Sequence, residues 1–360
     1  MKILIATPIA APSIGGPATY IKNLFQILEK EGISSVLISY NSLKSYPQPL
    51  RFLLYSASLL SKAGGCDLIY GFNIISSGLP AFFCSKIFRK KFIIRLGGDF
   101  LWERAVEEGR SEATLKDYYK EPKSIRERIF IWLIKRVLKG ADRIIFTSDF
   151  QKEIYIDFYD LDRSKISIIG NPFPEKINGN TQNADYQILF AGRLIKLKNL
   201  GNLIDAFAKS VEKVTMPLTL KIVGDGPETQ FLKNKVEKLQ LQDKIFFEKA
   251  LSQNQLFEEI RKSYFCVLPS LSEITPNFAL ESIAMGKPIL LTRETGYYEK
   301  FKDMLLFIDP KDVEDISRKI IYLCEEENYN KYRKLIEGMP LSFSWQDITK
   351  EHIVLFKELI

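Results

Sequence analysis

The strongest constraint in this chain is a rhythm. A short apolar run, a loop bearing glycine or proline and a helix-period pattern follow one another repeatedly through both halves. The runs fall at 3–7, 36–39, 67–70, 92–96 and 141–148, and again at 187–191, 218–223, 244–247, 264–268 and 288–292. Runs so short and so continuously apolar are strands covered by helices on both faces, which is the pattern of a parallel sheet. Between the two series lies NPFPEKINGNTQNADY, rich in Pro, Asn and Gly and with little to bury, as a linker is. The expected fold is α/β, with two Rossmann-like doubly wound domains facing each other across a cleft. The first spans 1–172, the linker 173–186 and the second 187–342.

Composition removes several function classes. With 46% hydrophobic and 26% charged residues over 360 positions, two ordinary soluble cores are expected. The four cysteines, Cys66, Cys84, Cys266 and Cys324, share no metal or redox spacing, which points to a reducing compartment. One histidine, His352, excludes a His-centred triad elsewhere and reads as structural or exposed. The amino-terminal MKILI begins a strand rather than a signal peptide, and no apolar run approaches the ~20 residues of a bilayer span. A cytoplasmic protein is expected. The net charge of +7 is compatible with anionic ligands, nucleic acid or an anionic membrane surface.

The chemistry concentrates at 272–281, SEITPNFALE, where Glu273 and Glu281 flank a loop and a helix start just after a buried strand. Thr275 reads as the helix N-cap and Pro276 as the first helical residue, which puts Glu281 in the second turn. A strand end and a helix N-terminus aim backbone N–H groups at the crevice where open α/β sheets hold nucleotides. Two carboxylates there suit sugar hydroxyls, since a carboxylate accepts from a vicinal diol at both oxygens. Taken alone, they are a surface loop residue and an exposed helix residue. Arg193 and Lys198 follow the first strand of the second domain and Gly192; they are either a metal-free diphosphate site or surface charges. Gly15-Gly16 and Gly224 sit in loops after strands, where glycine lets backbone approach a ligand or turns the chain.

The Glu pair, its spacing and the flanking SLSE and ESIAMGKPIL resemble the family 4 retaining glycosyltransferases of the GT-B fold, as does AGRLIKLKN in its own place. The resemblance covers most of the second domain and, less specifically, the first. It implies that Glu273 contacts the donor sugar or orients the loop beneath it, and that Glu281 binds the ribose. Arg193 and Lys198 would neutralise the leaving diphosphate. Gly15, Gly16, Gly192, Gly224, Thr275, Pro276, Asn277 and Phe278 would complete the donor site. The helix over 343–360 would cross back onto the first domain. The chain departs from the family at Ile274-Thr275-Pro276, where Gly-Phe-Gly is usual. It departs again after the strand at 92–96, where the family commonly has a histidine and this chain offers Asp99. Asp99 is expected either to bind a sugar or acceptor hydroxyl, acting with Arg193, Lys198 and Glu273 in catalysis, or to cap the helix beginning near Leu101.

The expected reaction is retaining transfer of a sugar from a nucleotide-diphosphate sugar to a saccharide or lipid-linked saccharide, without cofactor or metal. Asp160-Leu161-Asp162 precedes its strand and reads as a turn rather than a metal-binding D-x-D. The helix at 124–139 carries Ile125, Ile129, Trp132, Leu133 and Val137 on one side and several Arg and Lys on the other. It is either an interfacial helix on the inner face of a membrane or an ordinary packed surface helix. Three rivals fit less well. A sugar-nucleotide epimerase needs an acid/base set absent here, and a nicotinamide-dependent dehydrogenase needs the G-x-G-x-x-G spacing. A non-catalytic nucleotide-sugar sensor or nucleic-acid binder could exploit the charge, but no basic cluster is interleaved with exposed aromatics, so no nucleic acid is expected.

Overall fold

The structure is a computed structural model and describes residues 1–10, 16–176, 186–339 and 343–360. The chain divides into two compact units. Unit 1 comprises Met1–Arg104, Tyr119–Pro172 and Phe343–Ile360; unit 2 comprises Ala105–Tyr118 and Phe173–Ser342. Residues 105–118, which the sequence reading kept with the first domain, group with unit 2.

The first half runs β1 (Lys2–Thr7), α1 (Gly16–Lys30), β2 (Ser34–Ser39), α2 (Gln48–Ala63), β3 (Leu68–Phe72), α3 (Leu79–Ile87), β4 (Lys91–Leu96) and α4 (Phe100–Glu107). It continues through α5 (Leu115–Tyr118), α6 (Ile125–Gly140), β5 (Arg143–Phe146), α7 (Asp149–Tyr159) and β6 (Ile166–Ile168). The second half runs β7 (Gln187–Ala191), α8 (Leu200–Val211), β8 (Thr219–Val223), α9 (Thr229–Lys238), β9 (Ile245–Glu248), α10 (Gln253–Lys262) and β10 (Phe265–Leu268). It ends with α11 (Asn277–Ala284), β11 (Ile289–Thr292), α12 (Tyr298–Phe301), β12 (Leu306–Ile308), α13 (Val313–Cys324), α14 (Glu326–Glu337) and α15 (Trp345–Leu359).

Both sheets are six-stranded and parallel throughout, in the orders β2-β1-β3-β4-β5-β6 and β12-β11-β10-β7-β8-β9. The expected doubly wound α/β folds are therefore present. Strands such as β4 and β10 are buried along nearly their whole length, because helices cover both faces. In unit 2 the chain leaves β7 on one side for β8 and β9, then returns to the other side for β10, β11 and β12. The loops after β7 and β10 thus diverge, and a crevice opens between them at the carboxyl ends of the strands. Unit 1 has the same switch between β1 and β3.

The unit 1 core is closed by α15, which a capping box starts: Ser344 Oγ accepts from the Asp347 N–H, and Asp347 accepts from the Ser344 N–H. His352 on this helix is fully buried, with Nε2 2.9 Å from the Tyr70 hydroxyl and Nδ1 2.8 Å from the Ile348 carbonyl oxygen. Burial drives its pKa down to about 3, so the ring is a neutral packing element. Asp160 and Asp162 form a turn. Asp160 ends α7 in the left-handed conformation, and Asp162 accepts from the Ser164 N–H.

Candidate functional site

The loops after β7 and β8 lock together at glycines. Gly192 donates its N–H to Val223, extending the strand pair by one bond, and Leu194 donates to Asp225. Gly224 has φ +141°, and a Cβ there would fall 1.9 Å from the Gly192 carbonyl oxygen, so this contact requires glycine. The interlock holds Arg193 outward. Its side chain is exposed, and no carboxylate or carbonyl among the described residues accepts from its guanidinium.

Beyond it, a short turn ends at Asn199 in the left-handed conformation, and the Asn199 amide donates to the carbonyls of Pro269 and Pro310. These bonds fasten the exit of β7 to the exit of β10. Lys198, one residue earlier, consequently lies against Glu273, with Nζ 2.5 Å from Oε1. Ser270 Oγ donates to the same oxygen. The Glu273 backbone bridges to the next strand end, taking the Gly296 N–H and donating to the Glu294 carbonyl. Lys198 and Glu273, read from sequence as separate site residues, form one largely buried ion pair.

The helix start differs from expectation by one residue. α11 begins at Asn277, with Pro276 as its cap at φ −82° and ψ 72°. Those angles, with the Asn277 N–H donating to the Thr275 carbonyl at 3.0 Å, make an inverse γ-turn at Pro276. The turn consumes the Thr275 carbonyl, which an N-cap residue would give to the first helical bond, and Thr275 stands outside the helix. The N–H groups of Phe278 and Ala279 meet no acceptor among the described residues. The Phe278 ring itself packs into the core against Phe190, so only its backbone is offered.

Glu281 does fall in the second turn of α11. Its carboxyl is partly buried, with no cation or hydrogen-bond donor among the described residues, and burial alone pushes its pKa up to about 7. The exits of β7 and β10, neighbours in the sheet of unit 2, are thus followed by a guanidinium and helix N–H groups without partners among the described residues and by a poorly solvated carboxyl.

Three supporting residues escaped the sequence reading. Ser270 holds Glu273, Asn199 ties the two strand exits, and Ser272 Oγ accepts from the Leu115 N–H. Ser270 and Ser272 are the two serines of SLSE, so that motif carried a signal beyond its glutamate.

In unit 1, Gly15 lies outside the described residues, and Gly16 is the exposed first residue of α1. Asp99 is fully buried. Its Oδ1 accepts from the Trp102 N–H at 2.8 Å, and its Oδ2 accepts from the hydroxyls of Tyr119 at 2.6 Å and Tyr155 at 2.8 Å. Of the two roles read from sequence, this geometry is that of the helix cap; both oxygens are engaged by the protein itself. Along α6, Ile134, Val137 and Leu138 are buried whereas Ile125, Ile129 and Trp132 are exposed, so the residues read as one apolar face are divided between core and solvent. Among the described residues no helix is long and apolar enough to cross a membrane, and no three His, Cys, Asp or Glu side chains are grouped to hold a metal ion.

Residues 14–175 match the family described as Glycosyltransferase Family 4, and residues 173–339 that described as Glycosyl transferases group 1. The chain is similar to the mannosylfructose-phosphate synthase of Agrobacterium fabrum, 26% identical over 64% of this chain and 56% of that protein. It is also similar to the O-antigen chain mannosyltransferase RfbU of Salmonella typhimurium, 25% identical over 64% of this chain and 61% of that protein. The chain spans about three fifths of the length of these curated relatives. Among solved structures, HepE of Anabaena in complex with UDP and glucose superposes with a TM-score of 0.70 at 16% identity, covering 100% of both chains. At that identity the likeness is one of fold, the GT-B fold.

Proposed function

We propose that this chain, a glycosyltransferase of the GT-B type by its fold and by the families matched on its two halves, is a retaining, metal-independent family 4 enzyme. It takes a sugar from a nucleotide-diphosphate sugar and passes it to a saccharide or lipid-linked saccharide in cell-surface glycan synthesis.

The observation that carries this reading is the juxtaposition, at the switch between β7 and β10, of the unpaired Arg193 and the open N–H groups of α11 with the unpartnered carboxyl of Glu281. The first two suit a diphosphate and the third suits a ribose diol. In this reading Arg193 and the Phe278 and Ala279 N–H groups stabilise the charge that grows on the leaving diphosphate. Lys198 is held in place by Glu273 before the donor arrives; its ammonium has three protons and can add a phosphate oxygen without giving up that partner. Glu273 in turn is oriented beside the sugar by Lys198 and Ser270. The departing phosphate serves as the base for the acceptor hydroxyl, as the family resemblance implies. HepE, solved with UDP and glucose, and RfbU, an O-antigen mannosyltransferase, support a nucleotide-sugar donor and a glycan product.

An anionic membrane face is part of the same proposal. α3 and α6 touch closely at Gly140, where a Cβ would fall 2.5 Å from the Phe82 ring. From these two helices Phe83, Ile87, Ile125, Ile129 and Trp132 project into solvent beside Arg126, Arg128 and Arg136. Flotation with vesicles containing phosphatidylglycerol, lost in Ile129→Glu/Trp132→Glu, would support it; no association in either protein would remove it.

Calorimetric titration of UDP, GDP and ADP and then their sugars, in chelator, tests the reading directly. Selective binding of one nucleotide, weakened in Arg193→Ala, is expected, and in a transfer assay Arg193→Ala should lose about 10² in turnover. No binding of any nucleotide would overturn it, and an inverted anomer in the product would overturn the retaining mechanism.

A further inference from the structure

Unit 1 contains a buried cation that nothing yet described uses. Arg95, the fifth residue of β4, is 5% exposed. Its Nη2 donates to the carbonyls of Ile169 and Gly170 and to Asn171 Oδ1, and its guanidinium carbon stands 4.0 Å from the centre of the Tyr20 ring. Its Nε is buried without an acceptor, its Nη1 has none among the described residues, and no carboxylate among them pairs with it.

This arrangement is costly as a purely structural one. Three hydrogen bonds to neutral oxygens fall on a single nitrogen, and a neutral amide could accept that task without burying a charge. The aromatic face of Tyr20 offsets part of the desolvation and leaves the net charge in place. Position supplies the other half of the argument. β4 ends one residue later, and Gly97 and Gly98 follow as exposed backbone. A Cβ on Gly97 would lie 3.6 Å from Arg95 Nη1 and 3.8 Å from Thr147 Cγ2, at ordinary contact distance, so the absence of a side chain leaves a methyl-sized space beside Nη1 at the exposed end of the strand. Carboxyl ends of parallel strands are where such domains bind ligands.

We propose that Arg95 and the open backbone of Gly97 form a subsite for an oxyanion, a phosphate or carboxylate, carried by the acceptor. The inference rests on the glycosyltransferase reading, and it narrows the acceptor to an anionic one. The guanidinium presents Nη1, with two protons, to a ligand that restores the missing countercharge.

The test separates the two readings. In an Arg193→Ala background, so that the donor-side cation does not contribute, inorganic phosphate is titrated into the full chain at low salt. Binding that falls about tenfold or more in Arg95→Gln and again in Gly97→Val is expected. Gly97→Val fills the space beside Nη1 and alters none of residues 169–171 to which Arg95 donates; thermal unfolding at the parent's midpoint shows that its loss of binding has no origin in a loosened chain. Competition by glucose 6-phosphate would assign the anion to a soluble sugar, and competition by phosphatidate vesicles to a lipid. Absent phosphate binding, or equal binding by all three proteins, overturns the subsite. Nucleotide titration of the parent chain fails or succeeds independently and speaks only to the donor site.

Discussion

Lys198 Nζ lies 2.5 Å from Glu273 Oε1, and Ser270 holds the same oxygen, so a cation and a carboxylate separated by 75 positions of sequence are joined before any ligand arrives. Both side chains are largely buried, 21% and 10% exposed, which makes the loss of either one felt by the other. Lys198→Met or Glu273→Gln alone should therefore lower stability by about 1–3 kcal/mol, and the double variant should recover part of that. Urea unfolding of the four proteins measures the cycle. Strict additivity would mean that the pair is not coupled.

Glu281 would give the proposed donor site a pH dependence whose sign can be stated. Its folded pKa of about 7 stands above the ordinary carboxyl value, so the free protein binds a proton there that the unfolded chain has lost by pH 5. The corresponding stability is present at low pH and lost as pH rises from about 4.5 to 7. Above pH 7, ligand-free Glu281→Gln should be more stable than the parent by about 1–3 kcal/mol. A ribose diol donates to the carboxylate, so a nucleotide sugar should bind more tightly as pH rises from 6 to 8, with proton release. A nucleotide sugar is the right probe because its diphosphate carries no terminal phosphate that titrates in the same range. Flat affinity in the parent chain, or the same rise in Glu281→Gln, would sink the ribose role.

Two glycines in unit 2 should respond oppositely to alanine. Gly224 combines φ +141° with a Cβ position 1.9 Å from the Gly192 carbonyl oxygen, so Gly224→Ala must break the interlock of the two loops. A loss of about 2–4 kcal/mol is expected. Gly201 lies inside α8 and would place its Cβ no closer than 3.9 Å to the Phe231 ring. Gly201→Ala should accordingly stabilise by about 0.5–1 kcal/mol. Denaturant midpoints decide both.

What the sequence made legible divides along physical lines. The strands were readable because burial on both faces writes itself as a continuous apolar run, and the switch loops were readable because Gly, Arg and Glu stand at their strand ends. Local backbone chemistry was less so: Pro276 suggests a first helical residue by preference alone, whereas its ψ of 72° makes a γ-turn that only the surrounding loop dictates. Pairings across the sheet left no trace, since nothing in AGRLIKLKN or SLSE says that Lys198 and Glu273 meet. Arg95 passed as an ordinary strand residue because a missing partner becomes visible only when every neighbour is in place.

Asp99 is a case in which burial chooses between two readings. Asp99→Ala would strand the hydroxyls of Tyr119 and Tyr155 and the Trp102 N–H in the core of unit 1, at a cost of about 2–5 kcal/mol. Asp99→Asn keeps an acceptor for one of them and should lose less. Thermal unfolding checks the order. If Asp99→Ala were instead as stable as the parent and raised KM for a sugar substrate, the carboxylate would belong to the ligand rather than to the cap.

His352 should make unit 1 acid-sensitive. Its ring is neutral in the fold, with a pKa of about 3 set by burial, whereas in the unfolded chain it titrates near 6.5. Between those values the unfolded state binds the extra proton, so the stabilisation is complete above about pH 6.5 and is lost progressively as pH falls toward 3. The slope contributed by this one group reaches about 1.4 kcal/mol per pH unit. His352→Gln retains a side chain able to meet the Tyr70 hydroxyl but cannot titrate. Its unfolding free energy should therefore change less between pH 7 and pH 5 than that of the parent, even if it is lower at pH 7. Equal acid sensitivity in the two proteins would move the titrating group elsewhere.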